Sequence, residues 1–297
     1  MRPLRRLGTL AATCLIGTVV MPEPASAGSY RATVVQQIDL ARVSSDPAGV
    51  TWLPSSRRFL VVDCNLNELA GFAGDNLWEL SRSGSVKRSG DTTGYTNEPT
   101  GVSFDPDGSR LFVSDDDRKR ILVVRRGSDG RFGTSDDRIS SFGTAAFGSG
   151  DPEDVAFDPH TGALFVVDGV GRAVFRLAPG ADGSVGSGRV TRIDVARYGA
   201  GDPEGIAYDA GRRTIFVLDY RSRRVYELTT AGTLRNTIDV SAATGGQLAG
   251  LVIAPASSGH GNSLWIVDRG INNSQHRTAR YDGKLFELSV PLRFGAS

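Results

Sequence analysis

Two glutamates are the strongest candidates in this sequence for contacts to a metal ion or ligand. Glu153 and Glu204 hold the same position in two copies of one phrase, Asp-Pro-Glu-Asp at 151–154 and Asp-Pro-Glu-Gly at 202–205. Carboxylates held close together raise each other's pKa or bind a cation, and a site made only of oxygen atoms suits Ca²⁺. The sequence therefore predicts a calcium site, with candidate ligands Glu153, Glu204, Asp154, Asp168 and Asp219.

A second, weaker candidate for a calcium site is the segment 128–137, which contains Asp129, Asp136 and Asp137. Carboxylates separated by glycines in a short segment resemble a calcium-binding loop, although the spacing lacks the acidic twelfth position of an EF-hand. The alternative interpretation is an ordinary polar extension of a hairpin.

Catalytic motifs are mostly missing from the sequence. It contains no Gly-x-Ser-x-Gly, no His-Glu-x-x-His and no phosphate-binding loop. Of the three histidines, only His276 is expected near the acidic groups, where it is a weak candidate for an acid or base; a solvated loop histidine is the alternative. Lys and Arg number 34 against 33 Asp and Glu, so there is no basic excess to hold nucleic acid. Two cysteines exclude a disulfide-based scaffold.

One phrase recurs along the chain and must position these acids. It joins a segment of the Asp-Pro-Glu-Gly-Ile type to an apolar run that ends in an aspartate, and it occurs five times. The closing aspartates lie 52, 53, 51 and 49 residues apart, and they are Asp63, Asp115, Asp168, Asp219 and Asp268. Such a fixed period indicates a repeat architecture.

The five copies differ at the glutamate position, and this difference separates function from architecture. Where two copies have Glu153 and Glu204, the others have Ala48, Thr100 and Ala249. A purely architectural residue would occur in every copy, whereas the closing aspartates do occur in all five. Those aspartates can instead cap the following turn or pair with an arginine just before the third strand, such as Arg120, Arg172 or Arg224.

Each copy is typical of four short strands, with turn residues between them and no convincing helical periodicity. Four-stranded units at a period near 50 indicate an all-β, five-bladed β-propeller. Six blades are the alternative, because about 270 residues also divide into six units of roughly 45. The segment 33–40 has no partner strand nearby, so we expect it to close the last blade and remove an exposed sheet edge.

The geometry of a propeller predicts on which of its two faces each acidic residue lies. The innermost strand lines a central channel, and the segments before it emerge on the same face as the turns after the second strand. We therefore expect the repeated acids at one mouth of the channel, and the 128–137 segment on the opposite face.

The first 27 residues have the pattern of a secretory leader. Arg2, Arg5 and Arg6 precede an apolar stretch over 7–21, and Ala25-Ser-Ala27 suits a signal peptidase. A membrane anchor is the alternative, although about 15 apolar residues fall short of the roughly 20 that span a bilayer. The expected organisation is a leader over 1–27 and one propeller domain over 28–297, secreted or in the cell envelope, monomeric, without a membrane span and with a free Cys64.

The phrases at 202–208 and 215–225 resemble NHL-type propeller repeats. More narrowly, Pro-Glu-Gly-Ile at 203–206 and the number of repeats resemble the SdiA-regulated family of bacterial envelope propellers. This resemblance implies a five-bladed propeller with a bound calcium ion. It also implies a functional role for Glu153 and Glu204, which match the glutamate of the family phrase. The first and fifth copies depart from the family phrase, because alanine replaces the glutamate there.

Two classes of function remain open. The first is a secreted calcium-binding propeller that acts as a ligand-binding or scaffolding module for a small molecule or an envelope or extracellular protein. The second is a calcium-dependent hydrolase of the lactonase, esterase or phytase type, with its site at the channel mouth. A glycosidase with two channel carboxylates is a third option, and only three tryptophans for sugar stacking count against it.

Overall fold

The chain folds into five sheets arranged as the blades of a β-propeller; each has four antiparallel strands, and one carries an additional parallel strand at its edge. The structure, a computed structural model, describes residues 27–65, 74–107, 109–271 and 282–295. The first two strands are β1 (Gly28–Arg31) and β2 (Thr33–Asp39). Blade 1 contains β3 (Pro47–Leu53), β4 (Arg58–Asp63), β5 (Leu77–Leu80) and β6 (Val86–Gly90). Blade 2 contains β7 (Pro99–Asp105), β8 (Arg110–Asp115), β9 (Arg120–Arg125) and β10 (Arg138–Gly143).

The later blades repeat this order from the innermost strand outward. Blade 3 contains β11 (Pro152–Asp158), β12 (Ala163–Asp168), β13 (Ala173–Leu177) and β14 (Val190–Asp194). Blade 4 contains β15 (Pro203–Asp209), β16 (Thr214–Asp219), β17 (Arg224–Thr229) and β18 (Leu234–Asp239). Blade 5 contains β19 (Leu248–Pro255), β20 (Asn262–Asp268), β21 (Lys284–Ser289) and the N-terminal β2. The five-bladed prediction is confirmed, and the six-bladed alternative is wrong.

The N-terminal strands join the two ends of the ring. Strand β2 pairs antiparallel with β21, with Val34 opposite Leu288 and Ile38 opposite Leu285, so the predicted closure is confirmed. Strand β1 was not predicted; it adds a fifth, parallel strand to the outer edge of blade 4, with Gly28 opposite Asn236. The N-terminal segment therefore spans two neighbouring blades.

The second strand of every blade forms the core between sheets. It carries a large apolar side chain that is completely buried in each case, and these are Phe59, Phe112, Phe165, Phe216 and Trp265. Neighbouring blades meet through such groups, as in blades 1 and 5, where the rings of Phe59 and Trp265 lie 4.6 Å apart. Burial of this apolar surface is the main favourable term in folding.

At one position of the repeated phrase, the innermost strands of neighbouring blades lie so close together that an added side chain would collide with the next strand. A Cβ on Gly101 would lie 2.4 Å from the Asp154 Cα, and one on Gly250 would lie 2.4 Å from the Ala48 carbonyl oxygen. Glycine is therefore required here in four blades, and Asp154 takes its place in blade 3.

Helical structure in the described part of the chain consists of two short 3-10 turns, Thr144–Phe147 and Ala196–Tyr198. Among the described residues, no helix is both long and apolar enough to cross a bilayer.

Candidate functional site

A β-bulge at the start of each innermost strand positions the two predicted glutamates. The register shifts between Pro152 and Asp154 in blade 3, and between Pro203 and Gly205 in blade 4, so Glu153 and Glu204 have no partner residue in the ladder. A bulge re-aims a side chain without ending the strand. The same shift occurs in the other three blades, so the glutamates use a repeated backbone feature that elsewhere holds alanine or threonine.

Three carboxylates from two blades converge at the channel mouth. Asp116 follows β8 in blade 2, Asp151 precedes β11 in blade 3, and Glu153 lies in the bulge of β11. Their ligand oxygens all lie within 4.8 Å of one another. Ca²⁺ binds oxygen at about 2.3–2.6 Å, so oxygens that share one ion lie within roughly 5 Å. Within 27–65, 74–107, 109–271 and 282–295, this is the one group of three metal-ligating side chains so close together.

Lys119 is the cation that now bridges two of these carboxylates. Its Nζ lies 2.6 Å from Asp116 Oδ1 and 3.9 Å from Asp151 Oδ1, and its side chain is 43% exposed. Asp151 uses its other oxygen to accept the backbone N–H of Val170 at 2.9 Å. A metal ion entering this group would therefore compete with this ammonium group for the same oxygens.

The glutamates in the mouth have strongly raised pKa values. Burial first, and then the charges of Glu204, Asp151 and Asp116, raise the pKa of Glu153 well above 4.5. Burial followed by the charge of Asp202 raises the pKa of Glu204 to about 8. Burial, followed by a hydrogen bond and the charge of Asp117, raises the pKa of Glu98 in blade 2 to about 8. The mouth therefore holds acids that keep their protons near neutral pH.

One partly buried arginine offsets part of this negative charge. Arg269 follows β20 in blade 5, and its Nη2 donates to Cys64 Sγ at 2.8 Å. Burial by itself would lower the pKa of Arg269, but Cys64, Glu204 and other acids reverse that effect and raise it. Burial also raises the pKa of the Cys64 thiol, so this free cysteine keeps its proton.

Asp154 does not face the mouth with Glu153; it lies on the channel axis. Its carboxylate accepts backbone N–H groups from Val155 at 2.8 Å, Ile206 at 3.0 Å and Leu251 at 3.5 Å, and it also bonds the Val102 amide. These amides belong to the innermost strands of blades 2 to 5. Burial raises the pKa of Asp154 to about 8, although these hydrogen bonds act in the opposite direction. The side chain therefore closes the channel and ties four blades together.

Asp168 and Asp219 bind the backbone around them. Asp168 Oδ2 accepts the N–H of Gly150 at 2.9 Å, and Asp219 accepts the N–H groups of Gly201 and Ser222, each at 2.8 Å. Each aspartate thus joins the segment before the innermost strand to the turn after its own strand. This is the capping arrangement that the sequence left open as the alternative to metal binding.

The carboxylates of the second predicted loop also accept hydrogen bonds from the loop itself. Asp136 Oδ2 accepts Ser128 Oγ at 2.8 Å, Asp137 Oδ2 accepts the Gly133 N–H at 2.7 Å, and Asp129 Oδ1 accepts the Arg131 N–H at 2.8 Å. Buried Phe132 anchors the loop between blades 1 and 2.

This loop does not stay on the face opposite the mouth. Asp91, at the mouth end of β6, donates its N–H to the Gly133 carbonyl at 2.9 Å. The expected placement is thus wrong for the tip of the loop, because the burial of Phe132 draws it back along the outer flank of the propeller.

Sequence reasoning named Glu153 but did not select its two neighbours in the site. Asp151 belongs to the repeated Asp-Pro dipeptide, and Asp116 lies in a run of three aspartates, 115–117, that only blade 2 contains. The uniqueness of that run is the signal that could have identified it. His276 lies outside the described residues, so its predicted role stays a prediction.

Comparisons with known proteins match this architecture. The SdiA-regulated family matches residues 24–249. No curated protein sequence matches the chain. Among solved structures, glutaminyl cyclase from Myxococcus xanthus is similar at a TM-score of 0.54 and 16% identity, over 89% of this chain and 98% of that one.

Two further solved structures are similar to the same extent. The calcium-binding protein regucalcin from Agrobacterium tumefaciens matches at a TM-score of 0.53 and 15% identity, over 91% of this chain and 98% of that one. A luciferin-regenerating enzyme matches at 0.55 and 12% identity, over 88% and 97%. At these identities the similarity concerns the fold.

Proposed function

Because the chain belongs to the SdiA-regulated family, we propose that it is a calcium-binding propeller that binds an oxygen-rich ligand at its channel mouth. The observation that carries this proposal is the convergence of Asp116, Asp151 and Glu153 from two blades. The ligand is a small molecule or a segment of an envelope or extracellular protein that presents carbonyl, carboxylate or phosphate oxygens.

The donor set fits a hard cation. All three groups are carboxylates, and Ca²⁺ takes six to eight oxygen ligands at about 2.3–2.6 Å. Three side chains supply only part of such a shell, so the remaining positions are open to water or to oxygens of the ligand. The solved structure of regucalcin, a calcium-binding protein of the same fold, supports the choice of metal.

Isothermal titration with calcium tests the site. We expect saturable binding to the wild type and a loss of at least about tenfold in affinity for Asp151→Asn/Glu153→Gln, because each change removes a charged ligand. Asp129→Asn/Asp136→Asn, in the second predicted loop, should bind as the wild type does. If the second pair of changes abolishes binding and the first does not, the mouth is the wrong site.

Hydrolysis at the same mouth is a second candidate function, and one observation favours it. Glu98 and Glu204 have pKa values of about 8, so both carry a proton at neutral pH and can serve as general acids beside the carboxylate group. A bound divalent ion would supply polarisation of a carbonyl or phosphoryl oxygen. The protein's own groups would orient that oxygen and deliver the proton to the leaving group.

A panel of lactones, esters and phosphoesters separates the two functions. If the protein is a hydrolase, Glu204→Gln should lower kcat while calcium binding by Asp116, Asp151 and Glu153 persists. Activity that is unchanged in Glu98→Gln/Glu204→Gln contradicts their role as general acids, and absence of activity with every substrate while calcium still binds contradicts the hydrolase and leaves the binding module.

We also propose that the chain is exported. The leader pattern ends at Ala27, and the first strand begins at the next residue, Gly28, which pairs with Asn236 in blade 4. N-terminal sequencing of the protein recovered from a bacterial host should begin at Gly28; a mature chain that keeps residues 1–27 would contradict export by cleavage.

A further inference from the structure

The half of the central channel beyond Asp154 forms a separate cavity. It has a volume of about 140 Å³ and opens where the innermost strands turn into the second strands, between Pro54, Pro106 and Pro159. Val102, Val155, Ile206 and Leu251, whose amides bond Asp154, line it as well. Asp154 therefore separates this cavity from the acidic mouth.

The wall of the cavity is apolar and largely aromatic. The fourth residue of the Gly-Val-x-Phe segment lines it in every blade, and these residues are Trp52, Phe104, Phe157, Tyr208 and Ile253. A cavity of about 150 Å³ lined by Leu, Ile and Phe holds a benzene molecule. The volume here is therefore sufficient for one six-membered ring.

Backbone amides without a side-chain acceptor give this apolar cavity a polar element. In two blades the inward N–H of the innermost strand donates to a hydroxyl of the preceding blade: Phe104 to Thr51 Oγ1 at 3.2 Å, and Phe157 to Ser103 Oγ at 3.0 Å. In the other three blades the preceding blade lacks a hydroxyl at this position: Ala156 precedes Tyr208, Ala207 precedes Ile253 and Val252 precedes Trp52.

The direction of the Tyr208 and Ile253 amides follows from the strand repeat. The N–H groups of Ile206 and Leu251 point to the channel axis, where they bond Asp154. Alternate residues of a strand direct their N–H groups to the same side. Two residues further, the N–H groups of Tyr208 and Ile253 therefore also point into the channel, and no side chain of the described residues accepts from them. A donor at an apolar wall favours a ligand that brings an acceptor.

We propose that this half of the channel binds a small, neutral aromatic compound with one carbonyl oxygen. The ring lies among the aromatic side chains of the wall, and the oxygen accepts the N–H groups of Tyr208 and Ile253. A neutral compound is favoured over an anion because the apolar wall offers no charged partner to replace the water that an anion would lose. This site lies across the Asp154 closure from the calcium site, so each proposal can fail without the other.

Ligand-observed NMR with acetophenone and ethylbenzene tests the site on the purified chain. Both compounds carry the same ring, but only acetophenone has an acceptor. Val252→Phe fills the cavity from a half-buried wall position, and Val170→Phe is its matched control at an 80% exposed residue. Ala156→Ser/Ala207→Ser supplies hydroxyl acceptors to the Tyr208 and Ile253 amides, and Ala145→Ser/Ala146→Ser on the surface is the control pair.

We expect saturable binding of acetophenone, roughly tenfold tighter than that of ethylbenzene, as two amide hydrogen bonds would give. Val252→Phe should abolish it and Val170→Phe should not. The serine pair in the wall should remove most of the preference for acetophenone and leave ethylbenzene unaffected. Absence of saturable binding to the wild type, persistence in a folded Val252→Phe, or an unchanged preference in the serine pair would overturn the proposal.

A measurement without any variant covers the case in which Val252→Phe does not fold. In protein labelled with ¹⁵N-tyrosine, the amide signal of Tyr208 should shift as acetophenone is added, while tyrosines outside the channel keep their positions. A Tyr208 signal that does not move at saturating acetophenone also overturns the proposal.

Discussion

Asp154 shows how a single side chain can replace a repeated feature of the fold. The other four blades have glycine at this position, and the aspartate accepts the amides of Val102, Ile206 and Leu251, which follow three of these glycines. Buried amides without an acceptor cost about 1–3 kcal/mol each. A residue that looks like a departure from the repeat therefore stabilises the centre of the ring.

We predict that Asp154→Gly, which restores the repeat, destabilises the protein by about 3 kcal/mol or more, because the amides of Val102, Ile206 and Leu251 lose their acceptor. Asp154→Asn keeps one acceptor oxygen and should cost less. Urea denaturation monitored by tryptophan fluorescence measures both. Equal stability of Asp154→Gly and the wild type would contradict this role.

Replacement of Lys119 tests the calcium proposal by an expected gain in calcium affinity rather than a loss. Because its ammonium group lies between Asp116 and Asp151, Lys119→Met removes a competing cation and should strengthen calcium binding roughly threefold. Arg221→Met is the matched control, since Arg221 pairs with Asp202 outside the three-carboxylate group and its side chain is 71% exposed. Isothermal titration compares the two variants. Weaker binding in Lys119→Met than in Arg221→Met would show that the lysine supports the site.

At the scale of the strands, the two N-terminal elements have different tasks. Strand β2 completes blade 5 through pairs along its whole length, and its Ile38 is buried with the core of blades 1 and 5. Strand β1 covers the edge of blade 4 through four residue pairs, an exposed ion pair between Arg31 and Asp239, and the partly buried Tyr30 side chain, which packs against the core of blades 4 and 5.

We predict that removal of residues 28–31 leaves a closed five-bladed ring and lowers Tm by roughly 5 °C. Removal of residues 28–39 should abolish cooperative unfolding or cause aggregation, because it leaves β21 as an unpaired edge. Circular dichroism melts and gel filtration distinguish the outcomes. Similar melting of the two truncated proteins would mean that β2 is not the closing strand.

The sequence predicted features that repeat and missed features that occur once. Five equivalent copies indicated the blades, and the apolar second strands followed from their continuous β-branched and aromatic runs. Strand β1 has no pattern of its own, because Gly28–Arg31 depends on the edge of blade 4 for its hydrogen bonds. Asp116 and Asp151 are 35 residues apart in adjacent blades, and only the packing of those blades brings them together. The bulge that aims Glu153 is likewise a property of strand pairing.

For the whole molecule, the nearly equal numbers of acidic and basic residues do not show that several acids in the folded protein keep their protons. A glutamate in the unfolded chain ionises near 4.5, whereas Glu98 and Glu204 in the folded protein ionise at about 8, and Asp154 also ionises at about 8 rather than 3.8. At pH values between the unfolded-state and folded-state pKa values of these groups, the folded state binds more protons than the unfolded state. The free energy of unfolding therefore falls as the pH rises through this window.

We predict that Tm in the presence of a chelator is lower at pH 9 than at pH 6, and that saturating calcium reduces this difference. The metal ion replaces the proton of Glu153, because a bound carboxylate must be deprotonated, and its charge lowers the pKa of the neighbouring Glu204. The part due to Asp154 should persist in calcium, since its oxygens bond backbone amides on the channel axis.

Differential scanning calorimetry across this pH range, with chelator and with calcium, measures both parts. Glu98→Gln/Glu204→Gln should flatten the chelator profile, because the variant lacks two of the groups that titrate near pH 8. If Tm measured with chelator rises from pH 6 to pH 9, these acids do not keep their protons in the folded protein. A calcium profile parallel to the chelator profile contradicts the coupling of the metal to the mouth glutamates, because binding that released no protons would shift Tm equally at every pH.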